Sequence, residues 1–317
     1  MVRHRLVADL HCDTAIKLAR GRGLDAAGNH VTIDRLRSGG VGLQVFACWI
    51  SPKYRRQAAR VRALELLADV RGAIACNRDA IAVVTDRASW RECRRQGGIG
   101  ALLAVEGGHA CAGSPDVLDE LHALGVRILT LTWNNHNAFA DSSAHAEKRG
   151  RDGGLTDLGR RLVERADALG VTIDLSHSSP GTFRDVLDCS AKPVLVSHSC
   201  AMSLRRHHRN LTDGQVAALA AKGGLLGINF YPGFLGDQRD PCGLRSVVDQ
   251  FVHVRKVAGT GMLAMGSDFD GISKVPQGLD GPHRFPDLLA ALGRAGFTAR
   301  EIDGIAGRNA LRFLGWD

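Results

Sequence analysis

Residues 100–108 read GALLAVEGG, which is six small or aliphatic residues, a carboxylate and two glycines. A run this short and apolar is typical of a strand buried on both faces, as strands of parallel sheets are. A carboxylate at the end of such a strand is costly to bury unless it is paired or bound to a cation. The stretch therefore predicts a parallel α/β fold with a polar site at the carboxyl ends of its strands.

Similar runs recur along the whole chain, and helical patterns lie between them. In one such pattern, residues 155–170, Thr156 is the predicted N-cap and Gly170 the C-cap. Another ends at Gly259, and the last helix opens with a capping box, Thr298-x-x-Glu301. The eight predicted strands are Leu6–Leu10, Gly42–Cys48, Gly100–Val105, Arg127–Thr132, Val171–Leu175, Pro193–Val196, Leu225–Phe230 and Met262–Met265.

This alternation predicts one (β/α)₈ barrel of the TIM type, formed as a single domain by residues 1–317. A basic segment at about residues 51–97 is predicted to add helices outside the barrel, and loops at about 134–155 and 231–245 are expected at its rim. A doubly wound sheet is the alternative. However, no G-x-G-x-x-G follows the first strand and no G-x-x-x-x-G-K-[ST] occurs, so nucleotide-binding functions lose their main support.

The composition is that of a globular protein, with 44% hydrophobic and 23% charged residues. The net charge of +8 could indicate nucleic-acid binding. Against that, the arginines are spread along helices and only 5% of the residues are aromatic, so we expect no nucleic-acid partner.

Nothing in the sequence indicates export or a membrane. No apolar run approaches the roughly 20 residues that span a bilayer, and the amino-terminal residues show no leader pattern, so we expect a soluble, cytoplasmic protein. The eight cysteines form no C-x-x-C pair. They are therefore expected to be mostly buried, reduced thiols and not a zinc ribbon.

Candidate metal ligands stand at the ends of the predicted strands, where barrel enzymes carry their chemistry. His11 and Asp13 form an H-x-D, and side chains two apart in a strand point the same way, so both can reach one ion. Cys12 should then point away from the site and pack. The six candidates are His11, Asp13, Glu106, His177, His198 and Asp268.

Three imidazoles and two carboxylates exceed what one tetrahedral ion needs. They suit two divalent ions about 3.5–4 Å apart that share a carboxylate and a hydroxide. Imidazole and carboxylate ligands without a thiolate favour zinc, although other transition metals fit as well.

These residues resemble the renal (membrane) dipeptidase family, a branch of the metal-dependent amidohydrolase-like barrels, over nearly the whole chain. In this order and at these separations the shared motifs are specific. The motifs are residues 9–14 (DLHCDT), 105–109 (VEGGH), 129–132 (LTLT), 173–177 (IDLSH), 196–199 (VSHS), 209–210 (RN), 228–231 (INFY) and 266–271 (GSDFDG).

The resemblance implies a binuclear zinc centre. His11 and Asp13 would bind the first zinc ion. Glu106 would bridge both ions, and the second ion would be completed by His177 and His198. A hydroxide shared by the ions would attack the peptide bond, because two zinc ions lower the pKa of a shared water towards neutrality.

The resemblance also implies how a dipeptide is bound. Arg209 matches the family arginine that holds the terminal carboxylate of the substrate. Asp268 matches the aspartate beside the bridging water, where it could move a proton to the leaving amine. The family cleaves dipeptides, many members accept a D-residue at the C-terminal position, and some open β-lactam rings.

One position departs from the family pattern. After residues 129–132 the mammalian members place a histidine that contacts the substrate and the developing oxyanion, but here the residue is Trp133. His136, three residues on, is the preferred replacement donor, and one of the neighbouring asparagines is a second candidate. Alternatively, no residue of this loop replaces the donor and Trp133 is a wall of the pocket. Tyr231 is a further candidate for substrate contact.

The sequence thus favours a binuclear zinc dipeptidase. An amidohydrolase acting on N-acyl amino acids or β-lactam-like amides would use the same metal site and is the alternative. A barrel that binds a ligand without catalysis is the third hypothesis, and the complete set of candidate residues argues against it. A homodimer is expected by analogy alone.

Overall fold

The computed structural model describes residues 5–236 and 242–317. Eight of the nine strands in those ranges close into a parallel ring in the order β1-β2-β4-β5-β6-β7-β8-β9 and back to β1, which confirms the predicted (β/α)₈ barrel. The strands are β1 Val7–Cys12, β2 Val41–Trp49, β3 Ile81–Val83, β4 Ile99–Glu106, β5 Val126–Thr130, β6 Thr172–Asp174, β7 Leu195–Ser199, β8 Leu225–Ile228 and β9 Leu263–Met265.

Helices connect the strands and cover the outside of the ring. Single 3₁₀ turns and one π-helical turn add to them, the latter at Gly304–Arg308. The α-helices are α1 Thr14–Leu18, α2 Ile33–Ser38, α3 Gln57–Ala75, α4 Arg87–Arg95, α5 Val117–Ala123, α6 Ser143–Arg149, α7 Asp157–Leu169, α8 Pro180–Cys189, α9 Asp213–Ala221, α10 Pro232–Leu235, α11 Leu244–Ala258, α12 Phe285–Arg294, α13 Ala299–Asp303 and α14 Asn309–Phe313.

The predicted helix caps are present. The side chain of Thr156 accepts a hydrogen bond from the backbone of Gly159 at the start of α7, and Gly170 ends that helix in the left-handed conformation. Thr298 and Glu301 form the predicted reciprocal capping box of α13. These caps form as predicted because each satisfies backbone groups that the helix itself leaves unpaired.

The segment at 51–97 differs in part from the prediction. It contains the helices α3 and α4, as expected, but also the short strand β3. β3 pairs with Ile99–Ala101, and β5 pairs with the same edge of β4 only from Leu103 onward, so β3 extends the sheet below β5. The apolar residues 80–84 carry the signal for β3, which the basic residues around them obscured.

Two buried apolar clusters separate the inside of the barrel from the outside. Leu102 and Ala104 of β4 belong to the inner cluster, whereas Leu103 and Val105 pack with the surrounding helices in the outer cluster. Because side chains alternate along a strand, the next inward-facing residue of β4 is Glu106. The register that builds the core therefore also places this carboxylate at the barrel mouth.

The remaining general predictions have mixed outcomes. All eight cysteines are free and five are buried, and Cys12 packs in the outer cluster, as predicted. In the part of the chain that the structure describes, no helix has the length and apolar character needed to cross a membrane. The predicted rim loop at 134–155 contains α6, and that at 231–245 includes residues 237–241, which lie outside the described ranges.

Candidate metal centre and substrate cavity

The six predicted metal-site residues lie together at the carboxyl ends of the strands. Three of them lie within strands and three lie within three residues after a strand, and all six are buried. Those within strands are His11 of β1, Glu106 of β4 and His198 of β7, and those after strands are Asp13, His177 and Asp268.

Glu106 lies at the centre of this group. Its Oε1 is 3.0 Å from Nε2 of His177 and 3.6 Å from Nε2 of His198. Its Oε2 is 3.7 Å from Nε2 of His11, which in turn is 3.7 Å from Oδ2 of Asp13. One carboxylate thus faces two separate sets of ligands with its two oxygens, which is the arrangement that a bridging ligand requires.

The unpaired atoms of the site fit metal ions. Nε2 of His11 and Oδ1 of Asp13 are buried without a hydrogen-bond partner among the described residues. Nε2 of His177 and Nε2 of His198 lie only 3.1 Å apart. A buried polar atom without a partner costs roughly 1–3 kcal/mol, so such atoms are rare unless a ligand satisfies them. Cations between these nitrogens and carboxylates would do so.

Asp174 is also close enough to His11 and His198 to be considered a ligand. Its two oxygens, however, already accept four hydrogen bonds, which leave no lone pair free for a cation. The donors are the backbone N–H groups of Ser176 and Ser197 on Oδ1 and the hydroxyls of Thr130 and Ser197 on Oδ2. Asp174 is therefore not a ligand; it accepts hydrogen bonds from the residues around the ligands, among them Ser197 next to His198.

The backbone is constrained where two of the candidates lie. His177 has φ 68° and Asp268 has φ 63°, in the left-handed region that residues other than glycine rarely adopt. Such conformations persist when the surrounding structure holds them, and they occur often at functional sites. Gly271 is required beside them, because a Cβ there would overlap the carboxylates of Asp13 and Asp268.

Burial shifts the pKa values of His177 and Asp268 in opposite directions. Burial lowers the pKa of His177 to about 4, so its imidazole is neutral at pH 7, as a metal ligand must be. Burial, together with the nearby carboxylates of Asp13 and Glu106, raises the pKa of Asp268 to about 8 in the absence of a cation. Asn229 donates a hydrogen bond of 2.9 Å from Nδ2 to Oδ2 of Asp268 and fixes its orientation.

A cavity of about 520 Å³ opens onto the metal centre. Arg209 lines it and is only 5% exposed; its Nη2 donates to the carbonyl oxygen of His198, and its Nε has no partner among the described residues. A larger neighbouring cavity of about 710 Å³ shares Arg209 but contains only His177 of the six candidates. The smaller cavity is therefore the candidate substrate site, because five of the six candidate residues line it.

The predicted substrate-contact residues are placed differently from one another. Tyr231 and Trp133 line the cavity, and the Trp133 ring packs edge-on against Trp49 with centroids 5.1 Å apart. His136 does not line it; its ring packs against His145 at a centroid distance of 3.9 Å. The structure therefore does not bring His136 to the cavity, whereas Trp133 forms part of its lining.

Asn134 is a cavity residue that the sequence did not distinguish from the other asparagines after Trp133. Its Oδ1 is 3.0 Å from Nδ1 of His177. The asparagine thus contacts the nitrogen of the imidazole that is turned away from Glu106. Asn134 lies in a loop without periodicity, and no sequence pattern distinguishes it from Asn135. Its role depends on the fold of the loop over the barrel mouth.

Comparison with known proteins agrees with this geometry. A family described as membrane dipeptidase (peptidase family M19) matches residues 1–316. A protein of Schizosaccharomyces pombe described as an uncharacterized dipeptidase is 37% identical over 215 residues, which cover 68% of this chain and 52% of that protein. A second such protein of the same yeast is 33% identical over 332 residues, covering 98% of this chain and 80% of that protein. The chain thus spans about half the length of the first relative.

Two solved structures share the fold over nearly the full length. One, described as a dipeptidase AC and a metallopeptidase of family M19, is 27% identical with a TM-score of 0.91, covering 98% of both chains. The other, a metallopeptidase from Rhodobacter sphaeroides bound to a phosphinate mimic of the dipeptide L-Ala-D-Ala, is 26% identical with a TM-score of 0.90. That match covers 98% of this chain and 99% of the other.

Proposed function

This chain belongs to the membrane dipeptidase family, the hydrolases of peptidase family M19, and on that premise we propose that it is a zinc-dependent dipeptidase. It hydrolyses the peptide bond of dipeptides and tolerates a D-residue at the C-terminal position. The observation that carries the proposal is the carboxylate of Glu106 between two sets of buried ligands, beside a cavity with a buried arginine. The L-Ala-D-Ala mimic in the relative from Rhodobacter sphaeroides supports the tolerance for a D-residue.

Two zinc ions per chain fit the ligand set. His11 and Asp13 would hold one ion, and His177 and His198 would hold the second. Glu106 would bind both ions. Imidazole and carboxylate without thiolate favour zinc. When bound, the ions would supply a nucleophilic hydroxide at neutral pH and polarise the scissile carbonyl.

Asp268 is the proton carrier of the proposal. It lies within reach of His11 and Asp13, and Asn229 fixes one of its oxygens. From this position Asp268 accepts the proton that the nucleophile loses on attack and gives it to the leaving amine, which must be protonated to depart.

Arg209 sets the length of the substrate. Its guanidinium is buried next to His198, so a substrate carboxylate there is bound at a fixed distance from the metal ligands. Two parallel hydrogen bonds from a planar guanidinium position a carboxylate more strictly than a single charge does. A dipeptide places its scissile bond and its carboxylate at the separation that the cavity requires, whereas a longer peptide does not. Trp133 and Tyr231 then form walls against the side chains.

We expect Arg209→Met to lower kcat/KM for dipeptides by about 10²-fold or more, because a charge-assisted bidentate contact is worth roughly 3 kcal/mol. Amidation of the substrate carboxyl should harm the wild type and add little to the loss in the variant. Arg206→Met, at an exposed arginine nearby, is the matched control and should change little. Equal losses on amidation in wild type and variant would mean that the carboxylate binds elsewhere.

A substrate panel tests the proposed function itself. We expect dipeptides with an L- or a D-residue at the second position to be hydrolysed faster than N-acyl amino acids or a β-lactam, and strong chelators to abolish the activity. Elemental analysis should find close to two zinc ions per chain. Turnover of acylated amino acids alone would assign the alternative amidohydrolase activity, and absence of bound transition metal with undiminished activity would refute the metal centre.

The predicted homodimer, the cytoplasmic location and the absence of a nucleic-acid partner stay predictions. Light scattering of the purified chain tests the first of them.

A further inference from the structure

We infer that Ser197 and Asp174 form one positioning unit that orients a histidine ligand of each metal ion at the same time. The unit lies behind the metal centre, on the side of the imidazole rings that faces away from Glu106. The inference rests on the proposed metal centre, but it concerns metal affinity and not the choice of substrate.

The hydroxyl of Ser197 lies between two histidines from different strands. Its Oγ is 2.8 Å from Nδ1 of His198 and 3.3 Å from Nδ1 of His11. The two rings are stacked, with centroids 3.8 Å apart, and Ser197 and both histidines are about 1% exposed. β1 and β7 are not neighbours in the ring, so this one hydroxyl joins ligands that approach the centre from separate parts of the barrel.

Asp174 determines the direction of these hydrogen bonds. Its Oδ2 is 2.7 Å from Oγ of Ser197, and the four donors around its carboxylate leave it able only to accept. The Ser197 hydroxyl must therefore donate its single proton to Asp174. Its lone pairs then face Nδ1 of both histidines and the hydroxyl of Ser176, which is 3.2 Å away. Both imidazoles are thus placed to donate to Ser197 from Nδ1–H, His198 from the shortest distance.

The consequence is a fixed tautomer at two ligands. A neutral imidazole that carries its proton on Nδ1 presents an unprotonated Nε2, which is the atom that both His11 and His198 turn towards Glu106. Outer hydrogen bonds of this kind orient the ring and raise the basicity of the ligating nitrogen. A single Ser–Asp pair thus prepares one ligand for the first ion and one for the second.

The third histidine is held independently. Nδ1 of His177 bonds to Oδ1 of Asn134, in a loop that does not contact Ser197 through any hydrogen bond of the described residues. Loss of the Asn134 side chain should therefore affect only the ion that His177 binds. If loss of Ser197 weakens both ions and loss of Asn134 weakens only one, the effect of Ser197 is that of a shared positioning unit. A general loss of order in the site would weaken both ions in both variants.

Ser197→Ala should lower the affinity for both zinc ions, each by about 10–100-fold, which is the usual effect of removing an outer partner of a metal ligand. Competition of the purified chain with a chromophoric zinc chelator measures the two affinities. Asn134→Ala should weaken one ion only. Ser178→Ala is the matched control, because the buried Ser178 hydroxyl has no hydrogen-bond partner although it adjoins His177.

Asp174→Asn tests the proton direction. The amide can donate to Oγ of Ser197, so the serine hydroxyl must turn its proton towards a histidine, which then carries its own proton on Nε2, where the cation should bind. Metal affinity should fall further than in Ser197→Ala, and nitrogen NMR of the metal-free histidines should show the change of tautomer. Ser197→Thr, which keeps the hydroxyl, should retain most of the affinity.

Thermal unfolding of the metal-free variants separates these effects from misfolding, and the serine variants decide the question if Asp174→Asn does not fold. Loss at only one ion in Ser197→Ala would overturn the inference, as would unchanged affinity in that variant or equal losses in Ser197→Thr and Ser197→Ala. Because zinc affinity is measured without substrate, failure of the proposed dipeptidase activity would be seen separately in the substrate panel.

Discussion

Glu106→Gln will remove metal from both sites and lower kcat/KM for dipeptides by more than about 10³-fold, since bound ions contribute several kcal/mol to the stabilisation of the transition state. The reason is geometric. Oε1 of Glu106 faces His177 and His198 while Oε2 faces His11, so one substitution alters both sets of ligands. The amide is uncharged, and its NH₂ group has no lone pair for a cation.

Metal content by elemental analysis and kcat/KM on the best dipeptide check this result together. Glu147→Gln is the matched control, because Glu147 is a mostly exposed carboxylate near His208 at the rim, and its loss should leave both quantities unchanged. A variant that keeps one tightly bound ion and most of its activity would show that Glu106 serves a single site.

Asp268→Asn is expected to lower kcat by about 10³-fold, within the range of about 10²–10⁴-fold that general acid–base catalysis contributes. Zinc content should stay close to that of the wild type, in contrast to Glu106→Gln. An asparagine keeps the size of the side chain but cannot take up and release the proton. Asp287→Asn, at an exposed position of α12, is the control substitution.

The leaving group provides a sharper test of Asp268. An anilide leaves without prior protonation far more readily than an amino acid does, so Asp268→Asn should harm hydrolysis of a dipeptide much more than that of an aminoacyl anilide. If both substrates lose the same factor, Asp268 does not protonate the leaving amine. If zinc is lost as well, Asp268 is a ligand of the first ion.

The sequence predicted the barrel and the positions of the metal-site candidates because both follow from short-range patterns. Short continuous apolar runs predict the strands, and parallel strands bring their carboxyl ends to one edge, so His11, Glu106 and His198 had to meet there once the topology was correct. The strands run further than their apolar residues, because the polar ligands themselves take part in β1, β4 and β7.

The parts that the sequence did not predict depend on contacts between distant segments. His136 and Asn134 lie two residues apart in one loop, and only the packing of that loop decides which of them reaches His177. The requirement for glycine at 271 arises from Asp13, at the opposite end of the chain. The strand β3 is visible mainly through its pairing with β4.

The closure of β1 against β9 has a consequence for the newly made chain. His11 and Asp13 are synthesised long before Asp268, which follows β9. A nascent chain whose ring is still open cannot hold these side chains together, because domains of this size fold as units. If the proposed function is correct, peptide cleavage would begin only after β9 has been made, and a truncated product that lacks β9 would be inert towards peptides.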